Sequence, residues 1–307
     1  MTERPSDWSA LPYVEWAGTR KTVQLYAQML GKTKLALAPV QPQWLASSLE
    51  VTARGLTTGA MPWGTTTVEV SLDFLEHTLG IALSDGRRTE IGLLDEPTVA
   101  DVWSRVSGAY SAYGIAADLW DKPQEVEDTT RMSADTRPAE YDAAAVERWW
   151  KVISAVRGVF DEWRSPFFGR THVPFWWGAF DLAVLRFTGR RAVAPDDRGY
   201  IMRYDLDAEF MNAGFWPGDD SAPGPIFYAY IHPKPDGCEL APIDPSGAAW
   251  IEQMGEWVMP YEAVLATGDP RQAIIDFLDC VYAIAGEYGG WDLSSFTYEK
   301  PPTPVRD

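Results

Sequence analysis

The sequence predicts an α+β fold with two similar halves, each an antiparallel sheet flanked by helices. Stretches that alternate apolar and polar residues indicate strands, and stretches with apolar residues at helical spacing indicate helices. Both kinds occur before and after the polar segment 121–140. In addition, Trp44 precedes Arg54 by ten residues in the first half, and Trp176 precedes Arg186 by ten residues in the second. This repetition suggests a diverged duplication with pseudo-twofold packing.

The polar segment sets the predicted boundaries. Residues 121–140 are acidic and have no apolar period, so we predict a solvated linker there. It separates an N-terminal half, residues 1–120, from a C-terminal half, residues 141–291, and we expect the halves to pack as one globular unit. Residues 292–307 end in PPTPVRD and are predicted to form a loose tail.

In the N-terminal half, apolar residues at helical spacing predict a helix over 20–30, with Gly31 in the position of a left-handed C-cap. Alternating and β-branched residues predict an antiparallel meander with strands at 48–56, 66–74 and 77–84. Thr98 and Asp101 have the spacing of a capping box in front of an apolar stripe, which predicts a second helix.

In the C-terminal half, Asp142 is positioned to cap a helix whose apolar stripe ends before Pro166, and Asp269-Pro270 has the pattern of a second helix start. Between these helices we predict strands at 172–191, 198–210 and 226–233, and a tight aromatic turn at 213–220.

Charge and cysteine content restrict the class of protein. With 26 basic and 44 acidic residues the formal net charge is −18, which opposes a nucleic-acid or anionic-membrane partner. No run of eighteen apolar residues and no signal-peptide pattern is present. Because Cys238 and Cys280 are the only cysteines, two free thiols in a reducing cytoplasm are expected.

The chain has none of the motifs that hold common cofactors. Its three histidines lack metal-ligand spacing, and it has no paired cysteines, no nucleophile elbow and no glycine-rich phosphate loop. We therefore expect neither a metal nor a cofactor. A small organic molecule is the expected partner, while the sequence indicates neither its identity nor the oligomeric state.

Charged residues within apolar stretches are the candidates for chemistry. An arginine in a strand pattern needs a carboxylate or a ligand anion, so Arg54 and Arg186 either bind the anionic group of a substrate or form structural ion pairs. Asp181 and Glu209 have apolar neighbours that raise a carboxyl pKa, so each is either a general acid or base or part of a structural pair.

Aromatic and amide side chains complete the predicted pocket. Tryptophans suit both a core and the walls of a site for a flat ligand. Because strand side chains alternate, Trp177 and Asp181 are expected on one face of the 172–191 strand and Trp176 and Arg186 on the other, unless a bulge near Gly178 intervenes. The predicted substrate-binding residues are Arg54, Arg186, Gln24, Gln43, Trp44, Trp176, Trp177 and Trp216.

Five sequence blocks carry a resemblance to a known family. They are GKTKLALAP (31–39), VTARGLTTG (51–59), FWWGAFDLAVLRFTGRRA (175–192), AGFWPG (213–218) and MPYEAV (259–264). With these blocks the chain, from Trp8 to Trp291, resembles the five-nine-nine-six group of bacterial domains of unknown function.

The resemblance implies a departure from that group at positions where its members tend to carry histidine. This chain has glutamine, alanine or proline there, namely Gln24, Gln43, Ala46, Pro174 and Ala208. Glutamine keeps the hydrogen bonding of histidine but cannot transfer protons near neutral pH. The resemblance therefore implies metal-free chemistry or pure binding here.

Three functions remain open on the sequence. The first is a cofactor-independent enzyme of small-molecule metabolism, such as a specialised biosynthetic step, of lyase, isomerase or hydrolase type. In it Asp181 or Glu209 moves a proton and arginine anchors an aromatic or anionic substrate. The second is a non-catalytic protein that binds such a molecule. The third is a protein-interaction module with an exposed tryptophan patch.

Overall fold

The chain has the predicted α+β fold, with two antiparallel sheets of six strands each and flanking helices. A computed structural model describes residues 8–95, 97–169, 171–194 and 200–298. Its helices are α1 Ala17–Leu37, α2 Val99–Tyr113, α3 Ala143–Arg164, α4 Tyr200–Asp205, α5 Tyr261–Ala266 and α6 Pro270–Gly289. None of the helices in these ranges combines the length and apolar character that crossing a membrane needs.

The first sheet has the strand order β1-β2-β4-β5-β6, with β3 paired to β4. Its strands are β1 Glu50–Val51, β2 Gly55–Thr57, β3 Met61–Trp63, β4 Thr66–Asp73, β5 Thr78–Leu83 and β6 Arg88–Gly92. Burial alternates along β4, where Val68, Val70 and Leu72 face the core. The second and third predicted strands of the meander are therefore confirmed as β4 and β5.

The second sheet has the order β11-β12-β10-β9-β8-β7. Its strands are β7 Phe175–Trp176, β8 Asp181–Arg191, β9 Ala208–Trp216, β10 Ile226–His232, β11 Ala249–Ile251 and β12 Glu256–Pro260. The segment 172–191 was predicted as one strand, but a turn over 177–180 divides it and Trp176 pairs with Asp181. Because of this turn, the predicted alternation of faces does not hold.

The caps that the sequence indicates start three of the helices. The Thr98 side chain accepts a hydrogen bond from the Asp101 amide at α2, and the Asp269 side chain accepts one from the Gln272 amide at α6. Asp142 accepts from the Ala144 amide at 2.9 Å at the start of α3. These predictions are confirmed.

The predicted C-cap at Gly31 is wrong, because α1 continues to Leu37. A β-carbon at position 31 would overlap the indole ring of Trp177. Gly31 therefore permits close packing of α1 against the ring of Trp177. This packing, and not the end of a helix, requires the glycine.

Three further strand predictions differ from the structure. The 48–56 strand is interrupted at Arg54, because Thr52 Oγ1 accepts hydrogen bonds from the amides of Arg54 and Gly55 and forms a turn. The 198–210 segment contains α4 before β9 begins at Ala208. Residues 213–216 of the predicted aromatic turn belong to β9, so the chain turns only after Trp216.

The chain divides into two compact units, whose bounds differ from the predicted halves. Unit 1 comprises Met1–Ala155, Pro174–Leu182 and Phe215–Pro225, and unit 2 comprises Val156–Val173, Ala183–Gly214 and Ile226–Asp307. The core of unit 1 contains the stacked rings of Trp149 and Phe180, with centroids 4.9 Å apart. The core of unit 2 contains Phe160 edge-on to Phe227.

Residues 121–140 have little regular structure but pack within unit 1. The buried Lys32 ammonium donates to the carbonyl oxygen of Lys122 at 2.9 Å, and the amide of Gln124 donates to Gln28 Oε1 at the same distance. Met132 is fully buried. The segment expected to be a solvated linker is therefore held against α1.

The two repeated segments differ in local structure. Trp44 lies in a 3-10 segment with a positive φ of 56°, and Arg54 lies in a turn, whereas Trp176 and Arg186 lie in strands. The C-terminal residues 293–296 form a 3-10 turn, and residues 299–307 of the predicted loose tail lie outside the described residues.

Candidate functional site

Unit 1 contains a cleft with a volume of about 900 Å³, within the range of ligand sites. One wall is the N-terminal part of α1, with Gly18, Arg20 and Gln24. Residues 123–140 supply another wall, and 216–221 with Ala179 supply a third. The segment predicted to be a solvated linker therefore provides much of the cleft surface.

Arg20 is the most unusual side chain of the cleft. Only 4% of its surface is exposed, and it has no ion pair within 4 Å among the described residues. Its Nη1 donates to Gln24 Oε1 at 2.9 Å, its guanidinium lies 5.5 Å from the centre of the Phe180 ring, and its Nε has no hydrogen-bond partner in the described structure. Desolvation lowers the pKa of Arg20, although the guanidinium remains charged at neutral pH.

Gln24 holds this arginine in place. Its amide nitrogen donates to the carbonyl oxygen of Gly178 at 2.5 Å, while its oxygen accepts from Arg20. The side chain is 1% exposed, so both hydrogen bonds are buried. Arg20 and Gln24 are four residues apart and share one face of α1, which explains how the helix brings them together.

Glu125 is the carboxylate best placed for chemistry. It is accessible in the cleft, and its Oε1 lies so close to Gly178 that a β-carbon there would overlap it. No hydrogen bond or ion pair engages its carboxylate within the described ranges. The cleft walls raise the pKa of Glu125 above its usual value by desolvation.

The other charges of the cleft are mostly paired internally. Lys21 binds Asp220 at 2.5 Å, and Arg137 binds Asp128 at 2.6 Å and Asp135 at 2.7 Å. Hydrogen bonds from Thr130 and then Arg137 lower the pKa of Asp128 to about 2. These carboxylates are therefore fixed as anions, unlike Glu125.

Of the ten predicted site residues, Gln24 and Trp216 line this cleft. The indole nitrogen of Trp216 donates to the carbonyl oxygen of Ala179 at 3.1 Å, which anchors the ring on the cleft wall. The remaining eight predicted residues are not among those that line it.

The structure places the two predicted arginines in different environments. Arg54 is exposed on the surface, where it pairs with Asp73 and Glu76. Arg186 is buried in unit 2, with its guanidinium 3.4 Å from the centre of the Trp163 ring and 4.2 Å from that of Tyr282. Arg54 therefore forms the structural ion pairs that the sequence left open as its alternative role.

The two predicted catalytic carboxylates are not among the residues that line the cleft. Asp181 is 4% exposed at the start of β8, directly after the 177–180 turn. Glu209, on β9, accepts hydrogen bonds from Thr188 Oγ1 and from Arg190 Nε, so it belongs to a structural ion pair. That pair is the structural alternative that the sequence left open for Glu209.

The remaining predicted residues have structural contacts. The indole of Trp177 donates to the carbonyl oxygen of Ser47 at 2.9 Å and packs against α1. Trp176 is partly buried in β7. Gln43 and Trp44 have positive φ angles of 51° and 56° in a partly buried 3-10 segment, a backbone conformation that is strained for these residue types.

Sequence reasoning missed Arg20, Glu125 and Glu140. Arg20 could have been predicted from the sequence, because it lies four residues before the predicted site residue Gln24 and therefore shares its helix face. Glu125 and Glu140 lie in a segment without periodicity, so only the folded chain shows that their carboxylates pack against Gly178 and Gly18.

A family model described as a family of unknown function (DUF5996) matches residues 8–298. No curated protein and no solved structure matches the chain at a significant level.

Proposed function

The chain belongs to the DUF5996 family of unknown function, and on that premise we propose that it is a cofactor-independent enzyme of small-molecule metabolism that acts on an organic anion in the cleft of unit 1. Arg20 anchors the anionic group, Gln24 orients the guanidinium, and Glu125 transfers a proton. Trp216 supplies the aromatic wall.

The observation that carries this proposal is the buried Arg20 in the wall of a cleft that also contains Glu125, a carboxylate without a hydrogen bond or ion pair in the described residues. Burying a guanidinium that has no ion pair is costly, and an anionic ligand that reaches the guanidinium from the cleft would offset that cost. A carboxyl with a raised pKa exchanges protons closer to neutral pH than an ordinary glutamate does. Both features suit acid–base catalysis on an anion.

The roles are those that the sequence suggested, but different residues carry them. Glu125 takes the role assigned to Asp181 and Glu209, and Arg20 takes that assigned to Arg54 and Arg186. The reaction is of lyase, isomerase or hydrolase type, in which proton transfer needs no redox cofactor.

A non-catalytic binding protein is the second candidate, and the fixed ion pairs of the cleft favour it. Arg137 with Asp128 and Asp135, and Lys21 with Asp220, form a charged wall of internal ion pairs. Such a wall supports selective binding without chemistry.

The third candidate, an interaction module with an exposed tryptophan patch, has less support. Among the described residues Trp120 is the tryptophan exposed over more than a third of its surface, at 54%. One exposed indole does not make a patch. The net charge of −18 likewise supports a small-molecule partner over a nucleic acid or an anionic membrane.

We also propose a bacterial cytoplasm as the location. Cys238 and Cys280 are both free thiols, as expected, and free thiols are typical of a reducing compartment.

A screen of small organic anions tests the function. Thermal shift identifies ligands that stabilise the protein, and mass spectrometry after incubation shows whether they are converted. We expect E125Q to bind the substrate but to lose turnover by about 100-fold or more, and E90Q, on β6 away from the cleft, to keep it. Turnover by E125Q at the wild-type rate would refute the catalytic role, whereas a ligand recovered unchanged from the wild type would favour the binding protein.

A further inference from the structure

The charges of the cleft do not balance once its internal ion pairs are removed. Lys21 is paired with Asp220, and Arg137 is shared by Asp128 and Asp135. The carboxylates neutralise the cation in both cases, so neither Lys21 nor Arg137 needs an anionic ligand.

One cation and four carboxylates of the lining are left without ion pairs in the described part of the chain. The cation is Arg20, and the carboxylates are Asp219, Glu125, Glu127 and Glu140. Asp219 accepts hydrogen bonds from the amides of Ser221 and Ala222, so Glu125, Glu127 and Glu140 are the carboxylates left for a ligand. The carboxylate of Glu140 packs against Gly18, in the first turn of α1, two residues before Arg20. The carboxylate of Glu125 packs against Gly178, whose carbonyl oxygen binds Gln24.

Two of these carboxylates are therefore connected to Arg20 by short routes. Glu140 contacts the α1 backbone at Gly18, and Glu125 contacts Gly178, which is joined to Arg20 by the hydrogen bonds of Gln24. A ligand with only negative charge would bind Arg20 but would be repelled by these carboxylates. A ligand with only positive charge would be repelled by the buried guanidinium.

We propose that the ligand of this cleft is an amino acid or a short peptide with both termini free, whose carboxylate binds Arg20 and whose protonated amine binds among Glu125, Glu127 and Glu140. This inference rests on the site of the proposed function and adds the requirement for an amine. The cleft volume of about 900 Å³ accommodates a molecule larger than a single amino acid.

Binding measurements on matched ligands test the requirement. The probes are the free amino acids and a set of dipeptides, each screened by thermal shift and then by calorimetry. The best ligand is compared with its N-acetylated form, which lacks the cation, and with its C-terminal amide, which lacks the anion. We expect each blocked form to bind at least about tenfold more weakly.

Variants assign the two ends of the ligand. E127Q and E140Q are expected to weaken binding of the free ligand about three- to tenfold and to leave the N-acetylated form unaffected, while E90Q changes neither. R20K is expected to weaken binding of the free ligand and of its N-acetylated form alike.

Two results would overturn the inference. One is equal or tighter binding of the N-acetylated form, and the other is failure of every free amino acid and dipeptide to bind at millimolar concentration. If other organic anions bind and their binding requires Arg20, the proposed function is retained and only the requirement for an amine in the ligand is wrong. If no anion binds in an Arg20-dependent manner, the proposed function falls as well.

Discussion

Gln24 donates a buried hydrogen bond of 2.5 Å to the carbonyl oxygen of Gly178, and this contact links the helix that carries Arg20 to the turn that supports Glu125. The same side chain accepts from Arg20 Nη1 at 2.9 Å. One amide therefore fixes the position of the proposed anion anchor and joins its helix to the turn that the carboxylate of Glu125 contacts.

Replacing this amide tests the link. Q24L leaves a buried guanidinium nitrogen and the Gly178 carbonyl without partners, so we expect the free energy of unfolding to fall by about 2–4 kcal/mol. Urea denaturation measures the change. Q253L, at an exposed glutamine of unit 2, is the control and is expected to have little effect. Equal stability of Q24L and the wild type would show that the link is unimportant.

The close contact between Glu125 and Gly178 gives a second prediction. G178A introduces a β-carbon that overlaps Glu125 Oε1, and since this is the end of a flexible side chain the carboxylate can move aside. We therefore expect a cost below about 1 kcal/mol in stability but a loss of turnover similar to that of E125Q. In an E125A background, G178A should have no further effect on activity. A double-mutant cycle that finds the two changes independent would contradict the contact.

Glu256 on β12 gives a prediction for pH dependence. Desolvation raises its pKa from 4.5 to about 7, so the folded protein holds this proton more tightly than the unfolded chain does. The free energy of unfolding should therefore fall as pH rises from about 4.5 to about 7. E256Q is expected to match the wild type near pH 4.5 and to be more stable by about 1–3 kcal/mol at pH 8. Parallel stability curves for the two proteins across this range would contradict the shift.

The two arginines selected from the sequence should differ in their effect on stability. Arg186 is enclosed by Trp163 and Tyr282, so R186A leaves a cavity and removes stacking, at an expected cost of about 3 kcal/mol. Arg54 forms exposed ion pairs with Asp73 and Glu76, so R54A should leave the unfolding midpoint nearly unchanged. Neither substitution should alter ligand affinity in the cleft. Loss of binding in R186A at full stability would restore its predicted role.

The fold class and several helices could be predicted because local physical rules determine them. The Thr98 and Asp269 caps and the apolar stripes behind them specify α2 and α6 without reference to the rest of the chain. Gly31 misled the prediction because a tertiary contact with Trp177, and not a helix end, requires a glycine there. Likewise, the turn at Arg54 depends on Thr52 accepting two backbone hydrogen bonds, which a strand-like pattern hides.

The site was less accessible to sequence reasoning. Burial of Arg20 depends on Phe180 and Gly178, which are more than 150 residues away along the chain. Glu125 gains its environment from a segment that has no periodicity and is held by Lys32 and Gln28. In contrast, Arg186 was predicted to bind an anion because an arginine in a strand pattern needs a partner for its charge. In the structure aromatic rings stabilise its guanidinium in place of a carboxylate.

The most direct test of the central claim is a crystal structure of the protein with a ligand selected by affinity or turnover. The account predicts density in the cleft of unit 1, with the anionic group within hydrogen-bond distance of the Arg20 guanidinium and a polar group of the ligand next to Glu125. A ligand bound elsewhere on the protein, or one in the cleft that makes no contact with Arg20, would contradict it.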